Sequence, residues 1–135
     1  MEVYKEVLIP GTIIIILDLL FFWFRGSAIS EQIESVQGLK FNIKPIGALL
    51  FYPLLLYVLH RYVLKEKKDV LDACQDAVLL GILLFGAIEF NNYALLTEWK
   101  LETVMIDTLW GGILLGVTTL LTYQIGKYTC PPAGF

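Results

Sequence analysis

Four long apolar runs dominate the chain, and short polar stretches separate them. The first covers about 7–24 and includes "IIIILDLLFFWF"; the second covers about 45–64, "PIGALLFYPLLLYVLHRYVL". The third covers about 77–96, "AVLLGILLFGAIEFNNYALL", and the fourth about 103–123, "TVMIDTLWGGILLGVTTLLTY". A bilayer core of about 30 Å takes roughly 20 helical residues, so each run is long enough to cross it. The runs are continuous rather than alternating, which selects helices over strands. Inside lipid, only helices or closed barrels satisfy the backbone. The expected fold is therefore an all-α integral membrane four-helix bundle, a single transmembrane domain over 1–135.

The connections add detail. Between the first two runs, Ile29, Ile33 and Val36 recur at helical spacing, with Ser27 and Ser30 available as caps. This predicts a short interfacial amphipathic helix over about 28–37, lying on the membrane surface. The segment "KEKKDVLDACQD" reads as a charged helical corner and "TEWKLE" as a tight turn, while "TCPPAGF" cannot continue a helix. Pro10 falls in the opening turns of the first helix, where it costs little; Pro53 falls in mid-span and predicts a kink. Trp23, Trp99, Tyr62, Tyr123 and Tyr128 stand near span ends, as an interfacial aromatic belt requires.

Composition agrees with the pattern. Of 135 residues, 57% are hydrophobic and 17% charged, and the mean hydropathy is +0.70. A net charge of -3 gives no basis for nucleic-acid binding. Two cysteines and one histidine do not supply the four nitrogen or sulfur ligands of a structural zinc site. No metal and no cofactor is expected, and no cleavable signal peptide is evident. An even number of spans places both termini on one side. That side carries six basic residues (Lys5, Arg61, Lys65, Lys67, Lys68, Lys127) against four opposite (Arg25, Lys40, Lys44, Lys100), which favours a cytoplasmic side for the termini.

The polar residues inside the spans are the candidate chemistry. At about 1.5 Å per residue, Asp18 lies about 9 Å, Glu89 about 10 Å and Asp107 about 6 Å below the surface opposite the termini. Asn91 and Asn92 accompany them, so a cluster of Asp18, Glu89, Asn91, Asn92 and Asp107 is expected in one half of the bilayer. Glu89, Asn92 and Tyr93 share a helix face, as do Asp107, Trp110 and Gly111; Trp99 stands at the adjoining turn. Acids in a bilayer are costly, usually face the bundle interior and are often functional. They also serve as interhelical hydrogen-bond glue, and both readings remain open. Gly112 and Gly116 form a small-xxx-small pair suited to close helix packing. The fragments "LDLLF" (Leu17 to Phe21) and "IDTLW" (Ile106 to Trp110) echo each other over five residues.

"EFNNYALLTEW" followed by "IDTLWGG" resembles a family of small predicted membrane proteins, Domain of Unknown Function 2177. Glu89, Asn92, Ala94, Trp99, Asp107, Trp110 and Gly111 match its pattern, as do Asp18 in "LDLLFFW" and the Phe51-Tyr52 pair. Glu89, Asn91 and Phe21 depart from the family's usual Asp, Thr and Trp. The resemblance implies a four-helix membrane protein and carries no activity. Its relatives occur in bacteria and in large DNA viruses of algae, which makes a viral membrane one implied setting.

Three functions follow. The first is a structural or assembly component of a membrane complex, partnered by membrane lipids and by other membrane or assembly proteins or by itself. The alternative is a lipid-, ion- or proton-binding or transport protein that uses the acidic and amide cluster. A lipid-modifying enzyme is the least favoured, because no Ser-His or Cys-His constellation and no phosphate-binding glycine loop can be placed.

Overall fold

The computed structural model describes residues 4–126. The chain opens with a π-helical turn, Tyr4–Leu8, that runs directly into α1, Ile9–Gln37. The other long helices are α2, Pro45–Tyr62; α3, Val70–Leu95; and α4, Leu101–Gly126. A single 3-10 turn, Leu64–Glu66, links α2 to α3. Among the described residues, four helices are long and apolar enough to cross a membrane. No strand occurs among the described residues. Lys127, Tyr128 and the "TCPPAGF" segment lie outside them.

Helix starts and stops follow local chemistry. Pro10 and Pro45 sit in first turns, where a missing N–H is not needed. α2 continues through Pro53. Gly38 ends α1 in the left-handed region, at φ 71°, which a glycine adopts without Cβ strain. Its N–H reaches the Glu34 carbonyl at 2.9 Å, and the Glu34 carboxylate accepts from the Phe41 N–H at 2.8 Å.

The segment expected to form a separate interfacial helix is helical, but it continues α1 without a break. A helix of 29 residues is about 43 Å long at about 1.5 Å per residue, so it exceeds a hydrocarbon core of about 30 Å. Gly26 lies inside this helix, and nothing stands within 4 Å of a Cβ added there. The far end is anchored instead: Gln32 is buried and bonded to the α3–α4 turn. α3 likewise starts earlier than its apolar run, because the charged corner is helical from Val70.

α3 and α4 make the most extensive contact in the molecule; α1 packs on α4, and α2 on α1. Small residues make the α3–α4 seam. Ala73, Ala77 and Gly81 recur every four residues and are buried. They face a helix carrying Gly111, Gly112 and Gly116. A Cβ on Gly81 would collide with the Gly111 backbone. One on Gly112 would meet Ile82 at 2.8 Å, and one on Gly116 would meet Val78 at 2.6 Å. The apolar core lies beside this seam and includes Ile14, Leu59, Leu114 and Leu115. Elsewhere the surface is apolar, with Leu, Ile, Phe and Trp side chains exposed along every helix. Such a surface suits lipid and not water.

Candidate functional site: intramembrane carboxylates

The three span acids occupy three helices. Asp18 and Glu89 each centre a hydrogen-bonded group, and Asp107 lies near Glu89.

Asp18, on α1, is 5% exposed. Tyr52 of α2 donates its hydroxyl to Asp18 Oδ2 at 2.7 Å, and Trp110 of α4 donates its indole N–H to Oδ1 at 3.1 Å. One carboxyl thus ties three helices together. Phe21, one turn further along α1, stacks on Trp110 with ring centroids 4.5 Å apart and planes 6° from parallel. The echoed fragments "LDLLF" and "IDTLW" therefore meet each other in the fold.

Glu89, on α3, is 8% exposed and accepts the Trp99 indole N–H at 2.8 Å. Trp99 belongs to the turn between α3 and α4 and is itself held by a 3.0 Å bond from its N–H to the Leu96 carbonyl. Asp107, on α4, is half-buried and lies within electrostatic reach of Glu89, of Asp18 and of Arg25. Buried Oδ1 of Asp107, Nε of Arg25 and Oγ1 of Thr108 have no hydrogen-bond partner among the described residues.

The amides are placed differently. Asn91 is exposed and Asn92 half-buried, and neither side chain makes a hydrogen bond among the described residues. Tyr93 is 46% exposed. Gly111, Gly112 and Gly116 all lie buried in the α3–α4 seam.

Two participants were not evident from sequence. Arg25 reads as a span-end cation, yet the long α1 carries it alongside Asp107. Gln32 reads as a polar residue on a surface helix, yet it is 4% exposed. Its amide donates to the Glu98 carbonyl at 2.7 Å, and its oxygen accepts from the Lys100 N–H and the Thr103 hydroxyl, each at 2.9 Å. No local pattern announces these bonds, because the partners lie 66 to 71 residues away. The Ala73-Ala77-Gly81 stripe did carry a signal, since small residues at four-residue spacing mark a packing face.

No group of three His, Cys, Asp or Glu side chains suited to a metal ion occurs among the described residues. Carboxylates tied to indole and phenol donors across helices, within an apolar exterior, define a polytopic helical membrane protein with a hydrogen-bonded interior. The chain belongs to the predicted membrane protein family DUF2177, which it matches over residues 3–124. It matches no curated protein and no solved structure.

Proposed function

We propose that the protein is a non-catalytic structural or assembly component of a membrane complex, in which the intramembrane acids hold the bundle together. The observation that carries this reading is Asp18, whose two carboxyl oxygens are both occupied by donors from other helices. Glu89 supports it too, because it fixes the turn tryptophan. The apolar exterior of every helix supplies surface for lipid and for neighbouring subunits. Both termini share one side, with the basic balance favouring the cytoplasm. A viral membrane is one setting for such a complex, on the family resemblance alone.

A second reading is supported by Arg25, Asp107 and Thr108. Their buried unpartnered atoms are unusual, since most buried polar groups are bonded. They would suit an ion, a proton or a lipid headgroup bound near the α3–α4 turn.

Native mass spectra after gentle extraction from the native membrane separate the two. The structural reading predicts stoichiometric protein partners, or self-association, in wild type and equally in Glu89→Gln/Asp107→Asn. A ligand adduct on wild type that a folded variant lacks would replace it with the second reading. The same variants test the bonding. Glu89→Gln keeps an acceptor for the Trp99 N–H, so its stability should fall by less than about 1 kcal/mol, within the range of interhelical bonds. A larger loss with a shifted tryptophan emission would show that the ionisable group itself is required.

A further inference from the structure

At the other end of the bundle, Glu6, Tyr57, His60, Arg61, Lys65 and Lys67 line a cleft of about 610 Å3. Three elements build it: the N-terminal π turn, the last turns of α2 and the 3-10 turn that follows. Buried Val63 and Leu64 pin that turn to the core, and Lys67 closes it in the left-handed region at φ 52°. The lining holds three permanent cations and one carboxylate. That carboxylate is engaged, because Glu6 Oε2 lies 3.1 Å from His60 Nε2. Arg61 and Lys65 are exposed and have no carboxylate partner among the described residues. Arg61 lies over the Tyr62 ring, 5.4 Å from its centroid, which leaves its N–H groups free to bind an anion. Lys68 does not contribute: it is bonded to Asp76 at 2.7 Å, and that bond holds its ammonium above the usual lysine value.

The geometry of α2 says what kind of anion fits. Leu50, Leu54, Tyr57 and Arg61 follow at i, i+4, i+7 and i+11 and share one face. The first three are 57%, 66% and 62% exposed. An apolar stripe thus runs up a candidate span and ends at the cationic cleft. A soluble anion has no use for the stripe, whereas a phospholipid fills both parts, with acyl chain on the stripe and phosphate in the cleft. Basic pockets at the ends of membrane helices bind anionic headgroups in this manner. The negative end of the α2 dipole opposes an anion there, but by under about 1 kcal/mol at an exposed site, and the charges of Arg61 and Lys65 outweigh it.

We infer that this cleft is a binding site for the phosphate of an anionic phospholipid, with Arg61 and Lys65 as its principal ligands. The test places the full chain in phosphatidylcholine nanodiscs containing a minor fraction of phosphatidylglycerol and measures retained lipid by native mass spectrometry. Wild type is expected to retain phosphatidylglycerol over phosphatidylcholine, with a preference that weakens as salt rises. A basic side chain near an anionic lipid contributes about fivefold in affinity, so Arg61→Gln/Lys65→Gln should lose about 25-fold. Arg61→Lys/Lys65→Arg should retain the preference. No phosphatidylglycerol preference in wild type overturns the inference, whatever the variants do. Equal retention by a folded Arg61→Gln/Lys65→Gln protein also overturns it. Displacement of the lipid by inorganic phosphate at equal concentration would assign the cleft to a soluble anion and overturn the lipid assignment.

Discussion

Gly81→Leu is expected to separate α3 from α4 and to cost about 3 kcal/mol or more, the upper end of the range for overpacked cores. The reason is geometric. A Cβ at Gly81 would meet the carbonyl of Gly111, and backbone cannot move aside as the tip of a side chain can. This is also the most extensive helix contact in the molecule, so its loss removes the scaffold on which α1 packs. A detergent titration of folded fraction would read the effect. Gly47→Leu is the control: nothing lies within 4 Å of a Cβ there, so stability should stay within about 0.5 kcal/mol. Similar losses from both variants would mean that any enlarged glycine disturbs insertion, and that the seam has no special role.

Gln32→Ala is expected to have the second largest effect. It removes one donor and one doubly used acceptor, leaving the Lys100 N–H, the Thr103 hydroxyl and the Glu98 carbonyl without their partner. Net values of about 0.5–1.5 kcal/mol per neutral bond put the loss at about 2–3 kcal/mol. The loss should be local. Hydrogen exchange should quicken in residues 27–37 and in the turn at 96–100, while the α3–α4 seam stays protected. Gln32→Glu keeps an acceptor for both donors and loses the bond to Glu98, so it should fall between wild type and Gln32→Ala. Unchanged exchange in Gln32→Ala would mean that packing, and not this side chain, fixes the end of α1.

These two residues also mark what sequence reasoning could and could not reach. The four spans were legible because membrane thickness sets a length that local composition reveals. The end of α1 was not, because Arg25-Gly26-Ser27 has the look of a helix exit, and Gln32's partners are distant in sequence. The cost of an acid in lipid marks Asp18 and Glu89 in the sequence, and both are buried. Their actual partners, Tyr52, Trp110 and Trp99, depend on how helices rotate against one another, which hydropathy does not fix. Helix phase also separates Asn91 from Glu89. It stands about 200° round α3 at 3.6 residues per turn, which accounts for its exposure. The α3 stripe of small residues follows a four-residue spacing, but nothing local marks Gly81 as the point where the backbones meet.

Asp18 is the intramembrane acid that struts separate helices, and its bond to Tyr52 puts that role to the most direct test. A double-mutant cycle of Asp18→Asn and Tyr52→Phe, read by unfolding in mixed detergent, isolates their mutual interaction. The structure predicts a coupling of about 0.6–1.7 kcal/mol, between the measured average and maximum for hydrogen bonds between membrane helices, with native helicity in all four proteins. Strict additivity, with both single variants as stable as wild type, would contradict the account and would leave Asp18 as a buried acid retained for some purpose other than holding the bundle.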